Sequence, residues 1–231
     1  FDKKLWIMQE LKSDSLLLDY LSPNGEQGYP GNLNLSVQFT LTPKNELKID
    51  YWAKTDKVTC CNLTHHPWFN LAGESDGSVD DHLLEIFADT ITPTDETLTY
   101  TGSMESVEAS VNDLRKPVAL GDFIPKLPYR HGANYLIPNP GSLNWVARMR
   151  HPRSGRSMDV YTDQRCLQFY SGRDLDGTII GKSGRPYQAH AGVCLECQGF
   201  PDSTNHPDIH DTLLYPDQIY RQSTIYRFYA T

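Results

Sequence analysis

The chain has 231 residues, a formal net charge of −8 and a mean hydropathy of −0.51. The charge argues against a nucleic-acid partner, because phosphate binding needs clustered Lys and Arg. No apolar run approaches the roughly 20 residues that cross a bilayer, so no membrane partner is expected.

Strand signals dominate from the N-terminus onward. The opening Phe1-Asp-Lys-Lys has no charged segment followed by an apolar core, so no secretory leader is expected there. The stretch from Leu11 to Leu21 looks helical at first sight, but Ser22-Pro-Asn-Gly25 follows it as a turn, which suits a strand equally well. Leu33, Leu35, Val37, Phe39 and Leu41 alternate with Asn34, Ser36, Gln38 and Thr40, the period of a half-buried β-strand. Leu47, Ile49, Tyr51 and Ala53 repeat the pattern after a Pro-Lys-Asn turn. Trp145 to Arg150, a Pro- and Gly-containing turn, and Ser157 to Thr162 read as a hairpin. Cys166 to Tyr170 and the stretch from Gln218 to Tyr229 complete the strand candidates. Helix signals are nearly absent, and no linker or repeat divides the chain, so one all-β domain over 1–231 is expected.

Cys60, Cys61, Cys166, Cys194 and Cys197 are odd in number, and two are adjacent, which does not suit a disulfide framework. Reduced thiols point to the cytoplasm. Cys194 and Cys197 form a CxxC, but Cys60 and Cys61 are not spaced as a matching half, so no metal site is expected. Asn34-Leu-Ser and Asn62-Leu-Thr match the glycosylation sequon, a pattern that is common by chance.

The segment Asn62-Leu-Thr-His-His-Pro-Trp-Phe-Asn-Leu-Ala-Gly73 concentrates two histidines among aromatic and amide side chains. Glu196 lies far downstream in the apolar stretch Ala191-Gly-Val-Cys-Leu-Glu. A carboxylate in such surroundings is partly desolvated, which raises its pKa and improves it as a base. Paired with His66, it gives the two halves of acid/base catalysis; the bland alternative is an exposed glutamate and a core histidine. On a strand, His65 and His66 would face opposite sides and could not share a metal. His190 stands six positions before Glu196, an even spacing that shares its face if the strand is unbroken; a turn histidine is the competing reading. Trp68, Phe69 and Tyr170 could wall a saccharide pocket, although core packing is commoner for any one aromatic. Gln168 alternates with Tyr170 and could donate a directional hydrogen bond.

These segments together resemble the aldose 1-epimerase (galactose mutarotase) family. Phe1-Asp-Lys-Lys-Leu-Trp6 is similar to the family's Gly-Phe-Asp-Lys-x-x-Trp, and Gly25-Glu-Gln-Gly-Tyr-Pro-Gly31 to its Gly-Glu-x-Gly-Tyr-Pro-Gly turn. Asn62 to Gly73 resembles Asn-Leu-Thr-Asn-His-x-Tyr-Phe-Asn-Leu-x-Gly. Asp95-Glu-Thr-Leu98, Asp113-Leu-Arg-Lys-Pro117, Gln168-Phe-Tyr-Ser-Gly172 and Leu195-Glu-Cys-Gln198 with Pro201-Asp202 follow in the family's order. The resemblance implies a large antiparallel β-sandwich that interconverts the α and β anomers of aldohexoses such as galactose and glucose. Its substrate is then a small monosaccharide, and no cofactor is needed. It places Glu196 as general base, His66 as general acid and Gln168 as a sugar contact, while His190, Phe69 and Tyr170 stand as candidate sugar contacts on the residue pattern alone.

Three departures stand out. The chain begins after the family's Asn-x-Leu-His-Gly-Gly segment, which implies a missing N-terminal portion, or its supply by another chain, and an open sheet edge. Gly132, in Arg130-His-Gly-Ala-Asn-Tyr135, falls where the family carries a sugar-binding aspartate. His65 replaces an asparagine, and Pro67 follows His66. A non-catalytic sugar-binding or regulatory module is the alternative that these departures favour.

Overall fold

The computed structural model describes residues 1–74, 76–128, 132–209 and 211–230; Arg130 and His131 of the motif above lie outside them. In chain order the strands are β1 (Ile7–Leu11), β2 (Ser15–Ser22), β3 (Leu33–Thr42), β4 (Glu46–Thr55), β5 (Thr59–Cys60), β6 (Leu83–Ile86), β7 (Thr90–Thr92), β8 (Glu105–Ser106), β9 (Val118–Ala119), β10 (Ala133–Leu136), β11 (Asn144–His151), β12 (Arg156–Thr162), β13 (Cys166–Tyr170), β14 (Cys194–Gln198), β15 (Leu213–Leu214) and β16 (Tyr220–Ala230). A single α-helical turn, α1 (Leu120–Phe123), and two 3₁₀ turns are the helices among the described residues.

The strands form a nine-stranded sheet in the order β1-β2-β3-β4-β16-β12-β11-β6-β9, a five-stranded sheet in the order β14-β13-β10-β7-β8, and a short β15-β5 pair. Each neighbouring pair is antiparallel. The architecture is the expected all-β antiparallel sandwich.

Alternation in the sequence decides which face of each strand is buried. Leu33, Leu35 and Val37 on β3, Ile49, Tyr51 and Ala53 on β4, and Met158 and Val160 on β12 turn inward. They meet Ile91, Tyr135, Leu167, Phe169, Leu195 and Cys197 from the smaller sheet in one apolar cluster. Each fully buried large side chain contributes about 1.5–3 kcal/mol, so this face of the smaller sheet is held firmly. The pattern fades along β3, where Leu41 is exposed, and β1 is an edge strand with all five residues exposed.

The outer edge of β14 is not left bare, and this positions the site. The irregular segment 62–69 runs antiparallel along it. Asn62 clamps one end: its amide donates to the Gly199 carbonyl at 3.1 Å and the Phe200 carbonyl at 3.3 Å, and accepts from the Gly199 N–H at 2.8 Å. Phe69 closes the other end, exchanging two backbone bonds of 2.8 and 3.0 Å with Val193. Between them the Thr64 hydroxyl donates to the Cys197 carbonyl at 3.0 Å. From the opposite sheet, Gln222 donates to the same carbonyl at 2.8 Å and the Tyr226 hydroxyl donates to the Leu195 carbonyl at 2.9 Å. Asn62 is thus committed to backbone bonds. We expect Asn62→Ala to lower the unfolding free energy by about 1–3 kcal/mol, because it strands partly buried backbone groups. Urea denaturation measures this, and an unchanged midpoint would show that Thr64 and Phe69 hold the edge unaided.

Candidate active site

The smaller sheet has two faces of opposite character. Ile91, Tyr135, Leu167 and Cys197 stand opposite one another across β7, β10, β13 and β14 and turn into the core. One position along, Thr92, Asn134, Gln168 and Glu196 form a second cross-strand row, which the pleat turns outward. These four side chains floor a cavity of about 470 Å³ that is also lined by His66, Leu98, Tyr100, Gly132, Tyr170 and Gln198. The volume lies within the range of small-molecule sites.

Glu196 is 8% exposed. Burial raises its pKa above the ordinary carboxylate value, and the nearby His66 partly opposes this. The His66 Nε2 lies 3.4 Å from Glu196 Oε1, with the ring about half exposed at the cavity. The other ring nitrogen, Nδ1, is 3.2 Å from the Cys194 thiol, which is buried behind it. Trp68 and Tyr170 flank the ring, with centroids at 5.2 and 6.0 Å. The imidazole is therefore fixed from both ends while one edge stays open to a ligand.

His65 and His66 diverge as expected, although segment 61–68 forms no strand. His65 points inward between the sheets. Its Nε2 lies 2.8 Å from the Tyr226 hydroxyl, and that hydroxyl already donates to Leu195. His65 must then donate from Nε2, leaving Nδ1 bare, buried and without a hydrogen bond. Burial pushes its pKa down from 6.5 to about 4.

The remaining residues picked out from the sequence are placed as follows. Gln168 and Tyr170 line the cavity with Glu196. The Gln168 Oε1 accepts from the Tyr100 hydroxyl at 3.0 Å, and its Nε2 donates to the Phe169 carbonyl at 3.0 Å, so the amide is held in one orientation. The Tyr170 hydroxyl donates to Asp174 at 3.0 Å. Phe69 and His190 do not line the cavity. Phe69 packs inward on Tyr226 and Phe228. His190 sits before β14 with a φ of 64°, and its Nδ1 meets the Ser171 carbonyl at 3.1 Å, so it is the turn histidine of the competing reading. Thr92, Tyr100 and Asn134 are cavity residues that sequence reasoning passed over: Asn134 is in register opposite Gln168, Thr92 is opposite Asn134, and Tyr100 reaches Gln168 through its hydroxyl.

Cys194 and Cys197 face opposite sides of β14, which removes CxxC as half a metal cage. A second candidate cluster, Asp81, His82 and His151, lies elsewhere. There the Leu71 N–H donates to His82 Nε2 at 2.9 Å, which places the His82 proton on Nδ1, 3.2 Å from Asp81. His151 Nε2 meets the other Asp81 oxygen at 3.0 Å, and its Nδ1 meets the Ser154 hydroxyl at 2.7 Å. That arrangement is a hydrogen-bonded clamp between the 71–82 loop and the β11–β12 turn.

The profile of the aldose 1-epimerase family matches residues 1–227. The chain belongs to the aldose 1-epimerase family. It is similar to galactose mutarotase from Mus musculus, 43% identical over 99% of this chain and 66% of that protein. It is also similar to galactose mutarotase from Homo sapiens, 41% identical over the same shares, and to aldose 1-epimerase from Escherichia coli, 34% identical over all of this chain and 68% of that one. Among solved structures, an aldose epimerase homologue from C. elegans superposes with a TM-score of 0.89 at 25% identity, covering 98% of this chain and 69% of that one. A galactose 1-epimerase from Lactobacillus acidophilus shares the fold, with a TM-score of 0.83, 22% identity and coverage of 99% and 68%. The chain thus spans just under two thirds of the length of the mouse and human relatives. No helix among the described residues is long and apolar enough to cross a membrane.

Where the resemblance to this aldose 1-epimerase family implies an aspartate, Gly132 has a φ of 80°, and a Cβ there would overlap the Phe169 carbonyl. Glycine is required by the local backbone, so the position is rebuilt rather than merely vacated. We expect Gly132→Asp to destabilise the fold by about 1–3 kcal/mol, seen as a lower urea midpoint; an unchanged midpoint would mean that the carbonyl yields freely. His65 generates a second expectation. A histidine whose folded pKa is depressed stabilises fully above its unfolded value of 6.5, and that stability is lost as pH falls towards about 4. Replacing it with the family's asparagine should remove up to roughly 3 kcal/mol of this acid-side loss. Urea midpoints across pH 4–7 that fall in parallel for both proteins would refute it.

Proposed function

We propose that the chain is the acid/base part of an aldose 1-epimerase, acting on an aldohexose such as galactose or glucose. The carrying observation is the His66–Glu196 pair, 3.4 Å apart at a cavity, with the carboxylate buried and its pKa raised. The names of the mouse, human and Escherichia coli relatives support the same reading.

In an aldopyranose the anomeric hydroxyl and the ring oxygen share one carbon, so an acid and a base this close together can reach both. Glu196 removes the hydroxyl proton while His66 delivers a proton to the ring oxygen. The ring C–O bond breaks and leaves an aldehyde. Rotation about the bond between the first two carbons presents its other face, and closure with the two roles exchanged gives the opposite anomer. Only protons move, so the step balances without an oxidant or cofactor. The Tyr170 ring at the cavity wall suits the apolar C–H face of a sugar, and Gln168 offers a fixed amide at the floor. A pure binding module has no need of a desolvated carboxylate beside a histidine, which favours catalysis. Five unpaired thiols support a reducing compartment, and we place the protein in the cytoplasm.

Polarimetry of freshly dissolved α-anomer tests the reading. Anomer exchange should be faster with protein than in buffer. Glu196→Gln and His66→Asn should each lower the catalysed rate by about 10²–10⁴-fold while leaving the fold intact. A wild-type rate equal to buffer, or an unaffected Glu196→Gln, would remove the proposal.

A further inference from the structure

The groups around His66 have a chemistry that proton transfer does not use. The Cys194 thiol, the two His66 nitrogens and the Glu196 carboxylate present one sulfur, one imidazole and one oxygen ligand within 4.8 Å of one another. Cys194 and Glu196 alternate along β14, so both stand on its outward face, and His66 leans over them. We propose that this triad is an inhibitory binding site for a thiophilic divalent cation, Zn²⁺ in particular.

Zn²⁺ binds thiolate at about 2.3 Å and imidazole at about 2.0 Å, so tetrahedral coordination sets sulfur and nitrogen about 3.5 Å apart. The Cys194 Sγ and His66 Nδ1 are 3.2 Å apart, so inserting the ion asks for only a small outward movement of an exposed ring. Glu196 needs a larger rotamer change to close as the third ligand, and the fourth position faces the cavity and water. A soft sulfur with a borderline nitrogen selects Zn²⁺ over Mg²⁺ or Ca²⁺, which prefer oxygen cages. The thiol gives its proton to solvent as the zinc–sulfur bond forms, because the thiolate is the ligand. The Asp81–His82–His151 cluster is a poorer host, since Leu71 occupies one His82 nitrogen and thereby holds the proton on the other.

Occupancy would engage the acid and the base together, so the ion should stop anomer exchange. That consequence rests on the epimerase reading, whereas binding itself does not. The test uses Co²⁺ as a spectroscopic probe on the purified, reduced chain. We expect about one equivalent of Co²⁺ to give a thiolate-to-metal charge-transfer band in the near ultraviolet, and Zn²⁺ to displace it. The band should vanish in Cys194→Ser and persist in Cys60→Ser, which alters the half-buried thiol outside the site. Should Cys194→Ser fail to fold, His66→Ala, at an exposed ring, must weaken Co²⁺ binding at least about tenfold. No band in the folded wild type, or a band that survives either site variant undiminished, overturns the site. In an active enzyme Zn²⁺ should abolish anomer exchange and a chelator restore it. A catalyst without a cobalt band sinks this inference alone, and a cobalt-binding chain without catalysis sinks only the epimerase reading.

Discussion

The hydrogen bonds that fasten segment 62–69 along the free edge of β14 govern the rest of this structure. An unpaired edge strand presents a row of bare donors and acceptors that recruits foreign strands. Here that row is met at Gly199, Cys197 and Val193 by Asn62, Thr64 and Phe69. The same bonds hold the segment at both ends and leave its middle free of regular pairing. His66 lies in that middle, so edge protection and placement of the candidate acid are one arrangement. Because the anchors include backbone exchange with Val193, the segment cannot slide along β14 without breaking several bonds at once.

The candidate base owes its character to the pleat rather than to a charged neighbour. Leu195 and Cys197 enter the core on one side of β14 while Glu196 emerges on the other, flanked across the ladder by Gln168. The carboxylate therefore sits on a wall backed by apolar side chains, with little water around it. Desolvation raises its affinity for a proton, and His66 pulls in the opposite direction. Desolvation is the larger of the two influences, so the carboxylate holds a proton more readily than an exposed one would.

Much of the architecture was legible from alternation alone. β3, β4, the β11–β12 hairpin, β13 and β16 all fall where period-two runs stand, because one face of each meets a common core. The site was only partly legible. Gln168 and Tyr170 share a face by simple alternation, and both line the cavity. The same logic misplaced His190, since β14 begins only at Cys194 and a left-handed residue breaks the spacing before it. Phe69 turns inward because its backbone is the bridge to Val193, and no local pattern announces such a bridge. Thr92, Tyr100 and Asn134 were missed for a related reason. Asn134 and Thr92 join the Gln168 row only through the register of separate strands, which one strand's sequence does not carry, and Tyr100 arrives from a loop through its hydroxyl.

Gly132 and His65 show that departures from a family pattern need the backbone before they can be weighed. Read as letters, Gly132 is a lost carboxylate and His65 a misplaced imidazole. In the fold, Gly132 is where β10 comes against the Phe169 carbonyl, an approach that no side chain permits. His65 fills the gap between Tyr51 and Tyr226, with ring centroids at 6.1 and 5.4 Å, and its hydrogen bond to Tyr226 leads on to the Leu195 carbonyl beside Glu196. Gly132 lies at the cavity, and His65 braces the wall behind it. Neither change touches His66 or Glu196, so under the proposed epimerase reading their effect belongs with which sugar the cavity holds more than with whether protons move.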